Sequence, residues 1–435
     1  MRFIGDFHIH SHYSIATSRQ LVPEMLAYRA SIKGIKVIGT GDFTHPGWLD
    51  ELSEKLIPAE QGLFRLKDEY KVRDLPGLSE NSSLDTRFML TAEINNIYRQ
   101  GGKVRKVHNL IFVPSFDTAR KIQKSVSRFG RVQSDGRPVL SLDSRHLLEI
   151  SLESSPEAFF VPAHIWTPWF SVLGAKSGFD SIDECYGDLS RYIYAVETGL
   201  SSDPAMNRLC SFLDRFTLIS NSDAHSPEKL GREANLFDTE ISYGCITEAI
   251  RNAERKGFLG TIEFFPEGGK YYYDGHRKCG ISWAPEQTGK NSGICPVCSR
   301  EVTCGVMNRV LQLADRKDDD ESPDKRNFYS LIPLKEILSE ILGTGQKSLK
   351  VSAAYDMLTA GIGSEFAVLL EVTVEELERI AGEAVTEAIR RMRNKEIYIK
   401  EGFDGQYGEI RLFDKNEIDE VVLSARSFFK NRINI

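Results

Sequence analysis

The first 265 residues read as an α/β barrel, followed by a small metal-stabilised module over 266–320 and a mainly helical region over 321–435. Three observations lead there. Short β-branched or aromatic runs alternate with longer amphipathic stretches as far as Phe265; several of those runs end in ionisable residues; and beyond Pro266 a Gly-, Tyr- and Cys-rich stretch gives way to helical periodicity. Repeated strand, helix, strand order implies mainly parallel pairing, and reactive groups at strand ends place a site at one mouth of a barrel.

In chain order, FIGDFHIH, IKVIGTGDF, FMLTAEINNIY, HNLIFVPS, AFFVPAHI, YIYAVETGL and FTLISNSDAH read as strands. Between the first two lies VPEMLAYRASIKG, a helix whose closing Gly34 suits a C-cap. GGKYYYDGHRKCGISWAPEQTGKNSGICPVCSREVTCGV has too few apolar residues to bury a core unaided, so a metal is expected to hold it. Its Tyr271, Tyr272 and Tyr273 suit either stacking on unpaired nucleotides or a core strand. DRKDDDESPDK, from Asp315 to Lys325, reads as an exposed linker or loop. LKEILSEIL and TVEELERIAGEAVTEAIRRMR then read as helices, and EIYIKEGFDGQYGEIRLF as a small hairpin.

With 435 residues the chain is long enough for at least one full-sized core. Its 41% hydrophobic and 27% charged residues are those of a soluble protein, and no apolar run approaches the length of a membrane span. The opening MRFIGDFHIHSHYS breaks the apolar run that a signal peptide needs, and the expected location is the cytoplasm. Seven cysteines, four of them between Cys279 and Cys304, suit metal binding in a reducing compartment better than a disulfide framework. A net charge of -7 excludes coating nucleic acid by bulk attraction and leaves only regional basic faces. Candidates are Lys103, Arg105 and Lys106; the run from Arg120 to Arg137; and Arg390, Arg391, Arg393 and Lys395.

His8 and His10 sit two apart in an extended segment, so their imidazoles share a face and can grip one metal ion. On their own they read equally well as a solvated or core pair. The rest of the chain decides between these readings: Asp42 ends a strand in GTGDFTH, Glu93 lies in LTAEIN, His108 opens HNLIFVPS, His164 ends FVPAH, and Asp223 with His225 ends NSDAH. Of nine histidines only His12, His146 and His276 fall outside these segments, counting His45 with that of Asp42. A mixed nitrogen and oxygen set suits zinc, manganese or iron, with magnesium a further candidate, and a carboxylate such as Glu93 or Asp223 can bridge two ions. Two or three such ions activate water near neutral pH and orient a phosphate, so the expected reaction is phosphoester hydrolysis.

DFHIHSHYS, GTGDFTH, TAEIN followed by KVHN, PAH and SDAH resemble, in order, the motifs of the PHP domain, over about the first 240 residues. The resemblance implies a distorted (β/α)7 barrel and metal ligation by His8, His10, Asp42, Glu93, His108, His164, Asp223 and His225, with Asp223 and His45 as catalytic candidates. Many PHP proteins carry a histidine directly after the motif-two aspartate. Here that place holds Phe43, and His45 is left either as a ligand or as a holder of substrate phosphate.

His276 and Cys279 with two residues between them, and Cys295 and Cys298 with the same spacing, read as two zinc knuckles. Four ligands with no open position imply a structural zinc, and Cys304 competes with His276 for the fourth place. Cys185, Cys210 and Cys245 read as packed thiols. In AGIGSEFAVLLEVTVEEL, Gly361 and Gly363 suit either a helix-hairpin-helix element presenting backbone N–H groups to a DNA phosphate or a plain helix–helix turn.

Together with PAHIWTPWFSVLGAKSGFDS, GHRKCG with CPVC, and GFDGQYGEIRLF, these motifs resemble the endonuclease Q family across nearly the whole chain. That implies nicking of DNA on the 5' side of hypoxanthine, uracil, xanthine or an abasic site, leaving a 3' hydroxyl and a 5' phosphate. Trp166, Trp169 and Ser171, just past His164, then read either as the wall of a pocket for an extruded base or as packing at the barrel mouth. Some family members dock to a sliding clamp through paired C-terminal aromatics. Phe428 and Phe429 stand there, but the expected glutamine is Val422 and the aliphatic position is Ala425. Two rival functions remain: a PHP phosphatase acting on a small phosphomonoester, and a non-catalytic DNA-binding repair adaptor.

Overall fold

A computed structural model describes residues 1–72, 76–78, 85–252, 257–430 and 432–433. Seven strands ring the barrel mouth: Arg2–Asp6, Val37–Gly39, Arg87–Gln100, Lys103–Val113, Phe159–Pro162, Ala195–Glu197 and Thr217–Ile219. The first three pair in parallel, as do the last two. Side chains and single bonds complete the ring where strand ladders do not. Ile165 N–H donates to the Glu197 carbonyl at 3.0 Å, and on the other side Phe7 N–H donates to Asn221 Oδ1 at 2.8 Å and Ser222 N–H to Asp6 Oδ1 at 3.0 Å.

The expectation of mainly parallel pairing fails in the middle of the ring. Arg87–Gln100 and Lys103–Val113 form one long antiparallel hairpin, and Phe159–Pro162 pairs antiparallel to its second arm. The cause is the two-residue turn Gly101-Gly102, with φ of 61° and 77°, a geometry that sends a strand straight back on its neighbour. Glycine is needed there because both positions are left-handed.

The sheet continues past Arg2–Asp6 through the antiparallel strands Ala234–Asp238 and Phe258–Glu263. Asn327–Ser330 then adds in parallel to Phe258–Glu263, so a segment lying beyond the acidic run belongs to the barrel's sheet. The helices that follow are Leu334–Ile341, Leu349–Ile362, Val374–Ala381, Glu383–Arg393 and Ile418–Lys430, with the hairpin Tyr398–Lys400 and Glu409–Arg411 near the end. Apolar packing runs unbroken from Leu26 in the barrel through Val306 and Val310 to Leu338 and Ile389. At the junction the buried Lys33 Nζ meets Glu365 Oε2 at 2.7 Å, and the same carboxylate accepts from the Tyr355 hydroxyl at 2.8 Å and Leu334 N–H at 2.9 Å.

Two expectations about the helical region are corrected. Gly363 N–H caps its own helix through the Thr359 carbonyl at 2.8 Å and Gly361 lies inside that helix, so neither offers a free backbone donor to a phosphate. Phe429 is buried, and the Phe428 ring lies against Gly382 with the Arg432 guanidinium 3.9 Å above it, so the pair packs on its own domain rather than projecting towards a clamp. Asn431, Asn434 and Ile435 of that C-terminal segment lie outside the described residues.

Beneath the mouth, Glu263 is fully buried, accepting from Thr198 Oγ1 at 3.2 Å and Ser220 Oγ at 3.0 Å. Burial pushes its carboxyl up to about 8, against the help of its hydroxyl donors. The folded chain therefore keeps a proton that the unfolded chain sheds above its ordinary carboxylate range. This group's stability contribution is complete at low pH and is lost as pH rises towards about 8, by up to about 1.4 kcal/mol per pH unit. Glu263→Gln is expected to flatten the decline in melting temperature across that window. Parallel declines for wild type and variant would refute the assignment.

Candidate metal centre

Asp42, His164 and Asp223 each stand just past a strand end with φ of 53°, 28° and 46°. Left-handed conformations are costly for residues other than glycine and collect where a side chain must be aimed. Gly199 makes room for one of them, since a Cβ there would sit 2.4 Å from His164 Cβ. Glu93 and His108 arrive differently, from the interior of the long hairpin. Its register pairs Glu93 with Leu110 and Asn95 with His108, which makes Glu93 and His108 diagonal neighbours on one face.

These elements converge on Glu93. One of its oxygens, Oε2, lies 3.5 Å from His8 Nε2 and 3.4 Å from His10 Nε2, and Asp223 Oδ1 is 3.5 Å from the first and 2.9 Å from the second. The other oxygen, Oε1, lies 2.5 Å from His108 Nδ1 and 3.1 Å from His164 Nε2. His8, His10, Glu93 and Asp223 thus make one ligand cluster, Glu93, His108 and His164 a second, and a single carboxylate belongs to both.

A further layer fixes the imidazoles. His8 Nδ1 is held between both oxygens of Glu197 at 3.0 Å, and His10 Nδ1 meets Asp42 Oδ1 at 3.1 Å, so each ring is anchored by a carboxylate and turns Nε2 inward. Glu197 also accepts from His164 N–H at 2.8 Å, while His164 Nδ1 rests on Thr167 Oγ1 at 3.1 Å. His8 Nε2 is buried without a hydrogen-bond partner among the described residues. An orphaned imidazole nitrogen between two carboxylates fits a divalent cation, and the mixed N/O set suits zinc, manganese or iron.

Two of the expected ligands, Asp42 and His225, and the undecided His45 stand outside these two clusters. Asp42 is an orienting group: its Oδ2 already accepts from Ser11 N–H at 2.7 Å, Ser11 Oγ at 2.6 Å and Ser14 Oγ at 2.7 Å. His225 stands at the rim, half-buried, its ring centroid 4.6 Å from that of His10 and its Nδ1 on the Asp223 carbonyl. His45 neither reaches a cluster nor has a free nitrogen. Its Nδ1 caps the helix Pro46–Lys55 by accepting from Trp48 N–H, and its Nε2 donates to the Gln133 carbonyl at 3.1 Å, which leaves neither nitrogen open to a phosphate.

Glu197 and Arg137 are missing from the sequence reading as site residues. Glu197 closes a strand in YAVETGL and carried the same strand-end signature as the others. Arg137 had no such signal. It enters on a loop pinned over the mouth by Asp135 Oδ1 accepting from Ile15 N–H and Gly136 N–H donating to the Tyr13 carbonyl, and sets Nη1 3.2 Å from Glu93 Oε2. Gly136 sits so close beneath that a Cβ would meet Asp42 Oδ2 at 2.2 Å.

Of the residues expected to wall a base pocket, Trp166 is fully buried with its indole N–H on Asn207 Oδ1 at 2.7 Å, and Ser171 is buried with its hydroxyl donating to the Thr167 carbonyl. Both therefore pack. Trp169 remains exposed, edge-to-face with Tyr271. In the separate module, His276, Cys279, Cys295 and Cys298 converge as one ligand cluster, with His276 Nδ1 3.2 Å from Cys298 Sγ. Cys304 is turned away towards Gly305 and Gln312, which leaves the fourth place to His276. This cluster has the composition and closure of a structural zinc site.

A family described as the MJ0043 C-terminal domain matches residues 333–396. The uncharacterized protein MJ0043 of Methanocaldococcus jannaschii is 34% identical over 251 residues, 56% of this chain and 31% of that protein, so the chain spans about a third of its length. The uncharacterized protein YqxK of Bacillus subtilis is 27% identical over 94% of this chain and 99% of its own. Among solved structures, the lesion-specific endonuclease PfuEndoQ from Pyrococcus furiosus is 30% identical, with a TM-score of 0.82 and full coverage of both chains. Endonuclease Q in complex with a 27-mer duplex bearing an abasic lesion at its active site is 31% identical over 96% of this chain and 98% of that one, also with a TM-score of 0.82.

The carboxylates govern the protonation of the site. For His10 burial opposes the charged form, yet hydrogen bonds to Asp223 and Asp42 outweigh it and lift the imidazole to about 9; Glu197, Glu93 and Asp223 raise His8 in the same way. A divalent cation binding at these nitrogens must displace their protons, so its affinity is expected to climb with pH up to about 9, with protons released on binding. Calorimetry in buffers of different ionisation enthalpy measures this. An uptake heat independent of buffer and an affinity independent of pH would show that the ions bind elsewhere.

Proposed function

The chain belongs to the endonuclease Q family, and from that premise we propose that it is a metal-dependent DNA repair endonuclease, hydrolysing the phosphodiester bond 5' to a deaminated base (hypoxanthine, uracil or xanthine) or an abasic site. The observation that carries the reading is the sharing of Glu93 between the His8–His10–Asp223 and His108–His164 clusters. Two or three divalent ions held there would lower the pKa of water and polarise a phosphate. The chain's own residues do the rest. His8, His10, Glu93, Asp223, His108 and His164 are the ligands, Glu197 and Asp42 hold the two histidines at the mouth in one orientation, and Asp223, the more exposed carboxylate, faces the incoming substrate.

Arg137 brings a guanidinium to the same point, 3.2 Å from Glu93 Oε2, and could take a non-bridging oxygen of the scissile phosphate. Damaged duplex DNA is the partner. Trp169 offers the accessible aromatic surface beside the mouth on which an unstacked base can rest. No described helix is long and apolar enough to cross a membrane. Three of the seven cysteines converge with His276 as metal ligands rather than as disulfides, which fits work in the reducing cytoplasm.

Purified protein given manganese, zinc or magnesium is expected to nick an end-labelled duplex on the 5' side of a single hypoxanthine, uracil or abasic site and to leave undamaged duplex intact. Asp223→Asn abolishes the nick, and Glu197→Gln lowers metal affinity or activity by roughly 10- to 100-fold. Protein that releases phosphate from small monoesters and ignores every lesion would replace this reading with a phosphatase. Lesion binding unchanged by Asp223→Asn, with no turnover in wild type, would replace it with an adaptor.

A further inference from the structure

Between the barrel and the helical region lies a cleft of about 660 Å3 whose charge the metal chemistry does not use. Six cations line it, Arg29, Lys33, Lys229, Arg232, Lys335 and Lys347, against three carboxylates. Every one of those carboxylates is already matched: Glu365 to Lys33 at 2.7 Å, Glu336 to Lys229 at 3.0 Å and Glu228 to Arg29 at 3.7 Å. Arg232, Lys335 and Lys347 have no carboxylate partner among the described residues. Arg29 Nε is buried without a hydrogen-bond partner among them.

The cleft opens beside the metal site. Ser18 and Ser226 are in its wall, Ser18 N–H donates to the His225 carbonyl at 2.9 Å, and Arg232 donates to the carbonyls of Ser222 at 2.8 Å and Asp223 at 3.2 Å. Its far wall is the Lys335–Tyr355 side of the helical region, where Lys335 Nζ stands 4.8 Å over the Tyr355 ring. Concentrated, unmatched positive charge with neutral serine and glutamine donors around it is a phosphate environment. We propose that this cleft binds a phosphate group, and that in the endonuclease reading, on which this source rests, the group is a phosphodiester of the DNA strand beside the scissile bond. Burial pulls the Lys335 ammonium down, Arg29 and Lys33 add to that effect while Glu228 and Asp356 oppose it, and an anion in the cleft would relieve the cost. A free inorganic phosphate is the other source of the same chemistry.

The test uses the full-length, metal-loaded protein. Binding of a labelled duplex with one abasic site is followed across a salt series for wild type, Lys335→Gln and Lys347→Gln, and uptake of inorganic phosphate and pyrophosphate is measured by calorimetry on all three. Lys347 is solvent-exposed, so its variant keeps the test alive if the Lys335 variant folds poorly. Each variant is expected to bind DNA severalfold more weakly and to reduce the slope of log affinity against log salt by about 1. Phosphate or pyrophosphate uptake lost in the variants, with DNA affinity and salt slope unchanged, supports the phosphate site and assigns it to free phosphate. Wild-type affinity, slope and phosphate uptake in both variants overturn the proposal. Wild-type nicking of the lesion in the same preparations reports on the endonuclease reading separately, so either can fail while the other stands.

Discussion

A buried carboxylate is tolerated only where cations surround it, and Glu93 imposes that demand on the whole barrel mouth. Its two oxygens face different sets of imidazoles, so His8 and His10 on one flank and His108 and His164 on the other must all come within reach. A parallel strand would expose Glu93 only at its end. The antiparallel hairpin instead carries it mid-strand, beside His108, at a depth where water is excluded and where ions bound to both flanks would be neighbours. Pairing that departs from a regular α/β barrel is therefore what centres the site.

Around this carboxylate the site is layered. Glu197 reaches His8, His164 and Asn221 with two oxygens, and Asp42 binds His10 with one oxygen while Ser11 and Ser14 occupy the other. Such orienting groups leave the inward nitrogens little rotational freedom, which lowers the reorganisation needed when ions and substrate arrive. The left-handed turns at Asp42, His164 and Asp223 belong to the same design: they cost conformational energy and are held by the surrounding bonds.

Much of this was legible in the sequence because metal chemistry restricts residue types and strand ends are easy to read. His8, His10, His108, His164, Asp223 and Glu93 were found that way, as were the cysteine knuckles and the final hairpin. Beyond Glu197, three features escaped. The Gly101-Gly102 turn is a hairpin signal, but the alternation of elements around it suggested a crossover, and the parallel reading prevailed. Asp42 carries the chemistry of a ligand, and only its three donors reveal that its oxygens are already occupied. Arg137 reaches Glu93 from a loop whose path is set by bonds to residues more than a hundred positions away, such as Ile15 with Asp135, and no local pattern encodes that. The same limit applies to Trp166, whose indole partner Asn207 lies in a different element.

The helical region is bound into the barrel too intimately to act as a separate module. It donates Asn327–Ser330 to the barrel's sheet and places Glu365 on Lys33 through a buried ion pair, whose breaking leaves an uncompensated charge. Gly363, which would serve a helix-hairpin-helix contact, spends its N–H on its own helix instead. What this region presents towards the metal site is therefore side-chain charge from Lys335 and Lys347, and not the Gly361–Gly363 turn. A fixed junction sets the distance between that charge and Asp223, so the strand flanking a scissile phosphate would meet a rigid ruler. Because phosphate contacts set register while carrying no base information, such a ruler leaves lesion selection to the surfaces beside the metals.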